Sequence, residues 1–338
     1  MEEQQPNIEE KEEKKELPKE YHENITDEKE LKALDQFKNA IATITEKKDK
    51  AVIDPFILLD NDFLIHFLRA RKLNVKKATK MILDYFHWKA KMNLDYLYSN
   101  YIFKEKYKIQ LLFPHGFHKM TKEGYPLYFQ IMGQLNPDEL FKISTPEEIT
   151  LYSVSIYEKL ERDYFKACSQ LKGSYIHSAC NIIDFGGINS SILNKKLLAF
   201  VQETFKICQD YYPESLSESY ILNANLLFRS FYSAVKIFLD SKTRNKIKVF
   251  GSNYKESLLD KIDAENLPKF FGGLCECPEG CLFSNAGPWK KQNEIEENIP
   301  EDILKKRKEI INSLTLGKLP NEETIKNTGK TGINPDDL

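Results

Sequence analysis

Pro126-Leu-Tyr-Phe-Gln-Ile131 is a six-residue run rich in aromatic and β-branched side chains, entered through the turn signal Lys122-Glu-Gly124. That composition predicts a short strand following a tight turn. Three further apolar runs come after it, Tyr175 to Ile183, Ser219 to Asn223 and Ile247 to Phe250, with helical spacing between them. Strands that alternate with helices predict an α/β domain on a mainly parallel sheet.

Upstream of this domain the spacing is helical. Leu31, Leu34, Phe37 and Ile41 fall on one face, as do Phe63 and Phe67, and then Met81, Tyr85 and Trp88, which predicts a small helical lobe. Residues 1–27 are highly charged and poor in apolar side chains, so a disordered tail is expected there. The expected organisation is a tail over 1–27, a helical lobe over 28–110, the α/β domain over 111–275 and a partly disordered extension over 276–338. Ser144-Thr-Pro-Glu-Glu148 supplies a cap, a proline and two acids, a strong helix start ahead of the second strand. A later helix, from about Ser191, should end at Tyr211-Tyr-Pro213, because proline cannot continue it. One short helix is expected near Asp302 to Leu314.

The composition excludes several classes of function. The 338 residues are 41% hydrophobic with a formal net charge of −2, so no whole-molecule field draws the chain onto nucleic acid or an anionic membrane. No apolar run approaches the roughly 18 residues of a spanning helix. Of six cysteines, Cys168, Cys180 and Cys208 sit in apolar stretches, as reduced thiols used as small hydrophobes do. A soluble cytoplasmic monomer is the expectation.

Asn225 to Leu239 (NLLFRSFYSAVKIFL) is unusual. Its polar positions, Arg229, Ser233, Lys236 and then Asp240, form one narrow stripe, and nearly everything else is apolar. A surface helix has an apolar arc little wider than about 100°, so this one needs apolar partners on two sides. It reads either as a core helix or as a lid between a greasy cavity and a bilayer.

Six motifs in order carry a resemblance over roughly residues 56–290: Phe67-Leu-Arg-Ala-Arg-Lys72 with the Trp88-Lys89 helix, His118-Lys-Met-Thr-Lys-Glu-Gly-Tyr-Pro-Leu-Tyr-Phe129, Asn181-Ile-Ile-Asp184, Tyr211-Tyr-Pro-Glu214, the Phe228 to Asp240 region with Lys246-Ile247, and Glu265-Asn-Leu-Pro-Lys-Phe-Phe-Gly-Gly273. Together they resemble the CRAL-TRIO family, specifically its phosphatidylinositol/phosphatidylcholine transfer branch of the secretory-pathway type. The resemblance implies a helical lobe, a lipid-binding domain with a five- or six-stranded sheet floor, and a mobile gate helix presenting Phe228, Phe231, Val235 and Phe238. It places the phosphatidylinositol headgroup at Arg71, Lys72, Glu214, Thr243 and Lys246. The residue types suit that ligand, since a buried phosphodiester needs fixed cations and a carboxylate accepts from vicinal hydroxyls.

The family's phosphatidylcholine positions correspond to Phe117, Tyr128, Ala179, Asn181 and Cys208, where hydroxyls have mostly been replaced. Phosphatidylinositol transport with weak or no phosphatidylcholine transfer is therefore expected, with no enzymatic activity and no cofactor beyond the bound phospholipid. The resemblance also implies transient contact with Golgi- or endosome-type membranes and the possibility of presenting lipid to an inositol-lipid kinase. The rival reading is a carrier of a sterol, tocopherol or retinoid, for which the charged positions would have no use.

Asp184-Phe-Gly186 imitates a kinase metal-binding triplet without the loops that such an enzyme requires. Cys275-Glu-Cys-Pro-Glu-Gly-Cys281 is a dense thiol cluster that lacks a local fourth ligand, so a loop with free thiols is expected rather than a metal site. No Gly-x-Ser-x-Gly elbow is present, which leaves a lipase without support.

Overall fold

The computed structural model describes residues 20–47, 55–290 and 299–316. Of the tail expected over 1–27, residues 1–19 lie outside the described residues, as does the end of the chain over 317–338; residues 20–27 are held on the lobe, with Glu23 N–H donating to Asp62 at 2.9 Å and Ile25 packed on the core.

Five helices form the first lobe: α1 (Glu28–Lys47), α2 (Asn61–Ala70), α3 (Val75–Met92), α4 (Leu94–Asn100) and α5 (Lys106–Leu112). Asp60 and Asn74 cap α2 and α3 by accepting from Phe63 N–H and Lys77 N–H, each satisfying an orphan donor of the first turn. The core of the lobe holds Leu34, Phe37, Ile41, Phe67 and Met81, as the spacing predicts. Leu31, expected on the same face, is instead 48% exposed. Trp88 leaves the lobe core and stacks on Tyr211 with ring centroids 4.0 Å apart, joining the two lobes.

The second lobe is a five-stranded sheet in sequential order, β1 (His115–Met120), β2 (Pro126–Ile131), β3 (Ala179–Asp184), β4 (Leu216–Leu222) and β5 (Ile247–Val249). The first pair is antiparallel and the other three are parallel. Parallel strands need long crossovers. These are supplied by α6 (Pro137–Ile143), α7 (Pro146–Lys159) and α8 (Phe165–Lys172) before β3, by α9 (Lys195–Tyr211) before β4, and by α10 (Leu226–Val235) and α11 (Ser241–Asn245) before β5. The cap read from the sequence is a complete capping box, with Thr145 and Glu148 each bonding the other's backbone N–H. One turn of π-helix, Leu160–Tyr164, separates α7 from α8.

Register makes the sheet a two-faced floor. Phe117, Tyr128, Asn181, Ser219 and Ile247 are partners in one row across all five strands. The next row, Gly116, Phe129, Ile182, Tyr220 and Lys248, belongs by strand alternation to the opposite face. That opposite face is sealed by Leu127, Phe129, Ile182 and Leu222 packed on Leu258, Ile262, Leu267 and Phe271. Leu258 comes from α12 (Lys255–Lys261) and Ile262, Leu267 and Phe271 from the segment after it, while Leu314 comes from α13 (Glu301–Thr315). The first row is left to face α7, α9 and α10.

Asp184-Phe-Gly186 serves a turn. The Asp184 carboxylate accepts from Gly186 N–H at 2.8 Å and from the Asn223 amide at 2.7 Å. Its burial pushes the carboxyl pKa up. A Cβ on Gly133 would lie 1.5 Å from the Gly186 carbonyl oxygen, so Gly133→Ala should prevent these loops from closing. The expected result is loss of soluble, folded protein, read by thermal melting.

Candidate functional site

The strand row, α7, α9 and α10 enclose a cavity of about 810 Å³, within the roughly 300–1,000 Å³ of small-molecule sites. All five candidate headgroup residues line it, Arg71, Lys72, Glu214, Thr243 and Lys246. So do the five second-ligand positions, Phe117, Tyr128, Ala179, Asn181 and Cys208, and the gate residues Phe228, Phe231, Val235 and Phe238. The structure thus brings together residues separated by as much as 175 positions, from Arg71 to Lys246.

Charge is concentrated where the lobes meet. Arg71 caps the end of α2, and its guanidinium lies 3.6 Å from Asp210 at the end of α9. Lys72 and Glu214 both have positive φ, 52° and 63°, a backbone region uncommon for side-chain-bearing residues and concentrated at functional sites. Glu214 is held on both oxygens by Lys242, at 2.6 and 2.7 Å. Lys246 stands farther from that carboxylate, at 3.9 Å, and donates instead to the Leu216 carbonyl. Burial lowers the Lys246 pKa, with Glu214 opposing the shift. A partly dehydrated ammonium of this kind gains strongly from an added anion. The Thr243 hydroxyl donates to Asp240 at 3.0 Å, leaving its lone pairs for an incoming hydroxyl donor.

Deeper in, the wall is apolar with a few satisfied polar groups. His115 is fully buried with its pKa depressed to about 4 by desolvation, so it is neutral. Its Nδ1 donates to Phe113 O and its Nε2 accepts from the Tyr152 hydroxyl at 3.2 Å. The Cys208 thiol donates to the Tyr157 hydroxyl at 2.9 Å. Tyr152, Tyr157, His115 and Lys242 all line the cavity, and none was among the candidates. Tyr152 lies on the α7 stripe of Ile149, Ser153 and Ile156, at helical spacings of three and four, and Lys242 is adjacent to a candidate, so those two signals were present in the sequence; Tyr157, five residues from Tyr152, falls outside the stripe's narrowest arc.

The helix expected over Asn225 to Leu239 divides: α10 ends at Val235, and a 3-10 turn, Lys236–Phe238, follows. Asn225 caps it by accepting from Phe228 N–H. Phe228, Phe231, Tyr232 and Val235 are buried against Phe185, Ile221 and Val249. Leu226, at 77% exposed, Ile237, at 74%, and Phe238, at 40%, face outward. Gln209 of α9 fixes the far end, donating to Phe238 O and accepting from Asp240 N–H. The side turned to solvent thus carries Arg229, Ser230 and Ser233 along its middle, with exposed apolar side chains only at its two ends, Leu226 and Ile237 with Phe238.

The sequence matches the CRAL/TRIO domain over residues 113–273 and the CRAL/TRIO N-terminal domain over 33–84. The chain belongs to the CRAL/TRIO family. Among its relatives, it is 36% identical over 240 residues to the Sec14 cytosolic factor of Schizosaccharomyces pombe, covering 71% of this chain and 84% of that one. It is 32% and 37% identical to the phosphatidylinositol/phosphatidylcholine transfer proteins SFH9 and SFH7 of Arabidopsis thaliana, over 93% and 68% of this chain. It spans only 52% and 42% of the length of those two. The crystal structure of Sfh5 has the same fold, with a TM-score of 0.56 at 19% identity, covering 69% of this chain and 84% of that chain. Among the described residues no helix is long and apolar enough to cross a membrane.

Proposed function

We propose that this chain extracts single phospholipids, phosphatidylinositol foremost, and carries them in the cavity beneath α10. The observation that carries this reading is one cavity with a cationic rim at Arg71, Lys72 and Lys246 and an apolar interior closed by Phe228, Phe231 and Val235. The transfer activity in the names of its relatives supports the same reading. A two-chain phospholipid has about 30 methylenes at roughly 0.8 kcal/mol each, so moving it bare into water costs on the order of 20 kcal/mol. A carrier must therefore replace the bilayer almost completely, and no group in the cavity needs to break a bond.

In this reading the phosphodiester pairs with Arg71, Lys72 and Lys246, while Glu214 and Thr243 accept from inositol hydroxyls. Lys242 neutralises Glu214 until the headgroup arrives. A sterol, tocopherol or retinoid carries no phosphate for Arg71, Lys72 and Lys246 to bind, and so would make no use of this rim. The protein acts as a monomeric cytoplasmic carrier that touches Golgi- or endosome-type membranes transiently and offers its lipid to an inositol-lipid kinase. Coupled turnover with such a kinase, set beside plain vesicle-to-vesicle transfer, separates presentation from transport.

The second ligand is read from the floor. Ala179 and Phe117 bring no hydrogen-bonding side chain, and the Cys208 donor is already taken by Tyr157. A phosphocholine phosphate there would lack partners, at about 1–3 kcal/mol for each one missing. Transfer of radiolabelled phosphatidylcholine should run at least about fivefold below that of phosphatidylinositol. Equal rates would refute this reading of the floor.

A further inference from the structure

The thiol cluster at 275–281 has a fourth ligand that the sequence does not reveal. We propose that His118, Cys275, Cys277 and Cys281 form a structural zinc site that rivets β1 to the segment following the sheet. The ligand atoms of these four residues all lie within 4.8 Å of one another. The Cys275 and Cys277 sulfurs are 3.9 Å apart. Two thiolates on tetrahedral zinc, at about 2.3 Å each, stand about 3.8 Å apart.

The histidine is set for ligation. His118 is fully buried, and its Nε2 has no hydrogen-bond partner among the described residues, an expensive arrangement for a polar atom without a ligand. Its Nδ1 lies 3.0 Å from the Ser284 hydroxyl. That hydroxyl donates to Cys281 O and accepts from Ala286 N–H, so towards the ring it can only accept, and Nδ1–H is the donor. The lone pair of the imidazole is left on Nε2, facing the sulfurs, with Ser284 acting as the outer partner that fixes the tautomer.

The two segments are already pressed together. A Cβ on Gly116 would meet the Leu282 carbonyl oxygen at 2.3 Å, and Lys119 N–H donates to Ala286 O. Three cysteines and one histidine close the tetrahedron, which is the pattern of a structural rather than a catalytic zinc site. Binding releases three thiol protons to solvent and leaves the metal centre with one net negative charge. The site ties residues 157 positions apart, His118 and Cys275, on the sheet face turned away from the lipid cavity. Its loss should weaken the fold without rewriting ligand choice.

The test uses the full-length chain purified without chelator, with metals measured by plasma mass spectrometry and the protein intact mass recorded. About one zinc per chain is expected, and stripping the metal with a chelator should lower the melting temperature. Cobalt substituted for zinc should give the ligand-field bands of a tetrahedral site with a thiolate charge-transfer band. Cys277→Ser, at a partly exposed position, should weaken that band in a chain whose circular dichroism is unchanged, and His118→Gln should shift the ligand-field bands. A folded wild-type chain with neither zinc nor a cobalt spectrum would overturn the site. An intact mass showing a disulfide within the cluster, or a cobalt spectrum indifferent to His118→Gln, would overturn it equally.

Discussion

Lys246→Ala should leave the chain folded and cut the phosphatidylinositol it retains by roughly ten- to a hundredfold. A hydrogen bond to a charged group contributes about 1.5–3 kcal/mol, and each 1.4 kcal/mol is about a factor of ten in affinity. In this structure the ammonium makes one hydrogen bond, to the Leu216 carbonyl, and no close ion pair. It sits 3.9 Å from Glu214, whose two oxygens belong to Lys242, and burial already depresses its pKa. Removing it takes away one hydrogen bond to the Leu216 carbonyl, a distant pairing with Glu214, and the cation best placed to answer a phosphodiester. Quantitative mass spectrometry of the lipid co-purifying with the variant and the wild type gives the ratio directly. Equal phosphatidylinositol in the two would remove the headgroup assignment.

The second large effect is expected at the outer side of α10. Leu226→Asp combined with Ile237→Asp should reduce vesicle-to-vesicle transfer at least about tenfold while the purified chain still holds its lipid. Both side chains are about three-quarters exposed, so charging them disturbs no core. In a bilayer each loses the roughly 1.5–3 kcal/mol of a buried aliphatic side chain and adds the cost of an aspartate, about 2.5–3.5 kcal/mol at a helix centre. Phe228→Asp and Phe231→Asp test something else. These rings lie in the core at 1% and 5% exposure, and an unpaired charge there would unfold the lobe rather than report on membrane contact. From the sequence, Phe228, Phe231 and Phe238 are expected against the bilayer when the gate opens; in this structure the apolar residues already exposed there are Leu226, Ile237 and Phe238. Unchanged transfer by the exposed double variant would count against α10 and the 3-10 turn after it as the segment that meets the membrane.

Sequence patterning revealed the layers better than the edges. The alternation in Pro126-Leu-Tyr-Phe-Gln-Ile131 places Tyr128 in the cavity row and Leu127, Phe129 and Ile131 in the opposite core, which is what a period of two dictates. Strand β1 escaped notice because His115-Gly-Phe-His-Lys-Met120 has no clean alternation and its register shifts between Phe117 and Met120. The run from Tyr175 begins as a strand only at Ala179, since Tyr175 and His177 stack with His66 of α2 before the ladder starts. The headgroup candidates came from ordered motifs, and spacing alone could not have joined Arg71 to Lys246. His118 is the clearest case of information held only in three dimensions, because nothing local ties it to thiols 157 or more residues away.

The central claim, a cavity that carries a phospholipid by its inositol phosphate, is tested most directly by native mass spectrometry of the full-length chain with identification of the released ligand. One phosphatidylinositol per chain, displaced by excess phosphatidylinositol vesicles and not by sterol, is the expected result. A sterol, tocopherol or retinoid at one per chain, or a chain that takes up no phospholipid from vesicles, would contradict it.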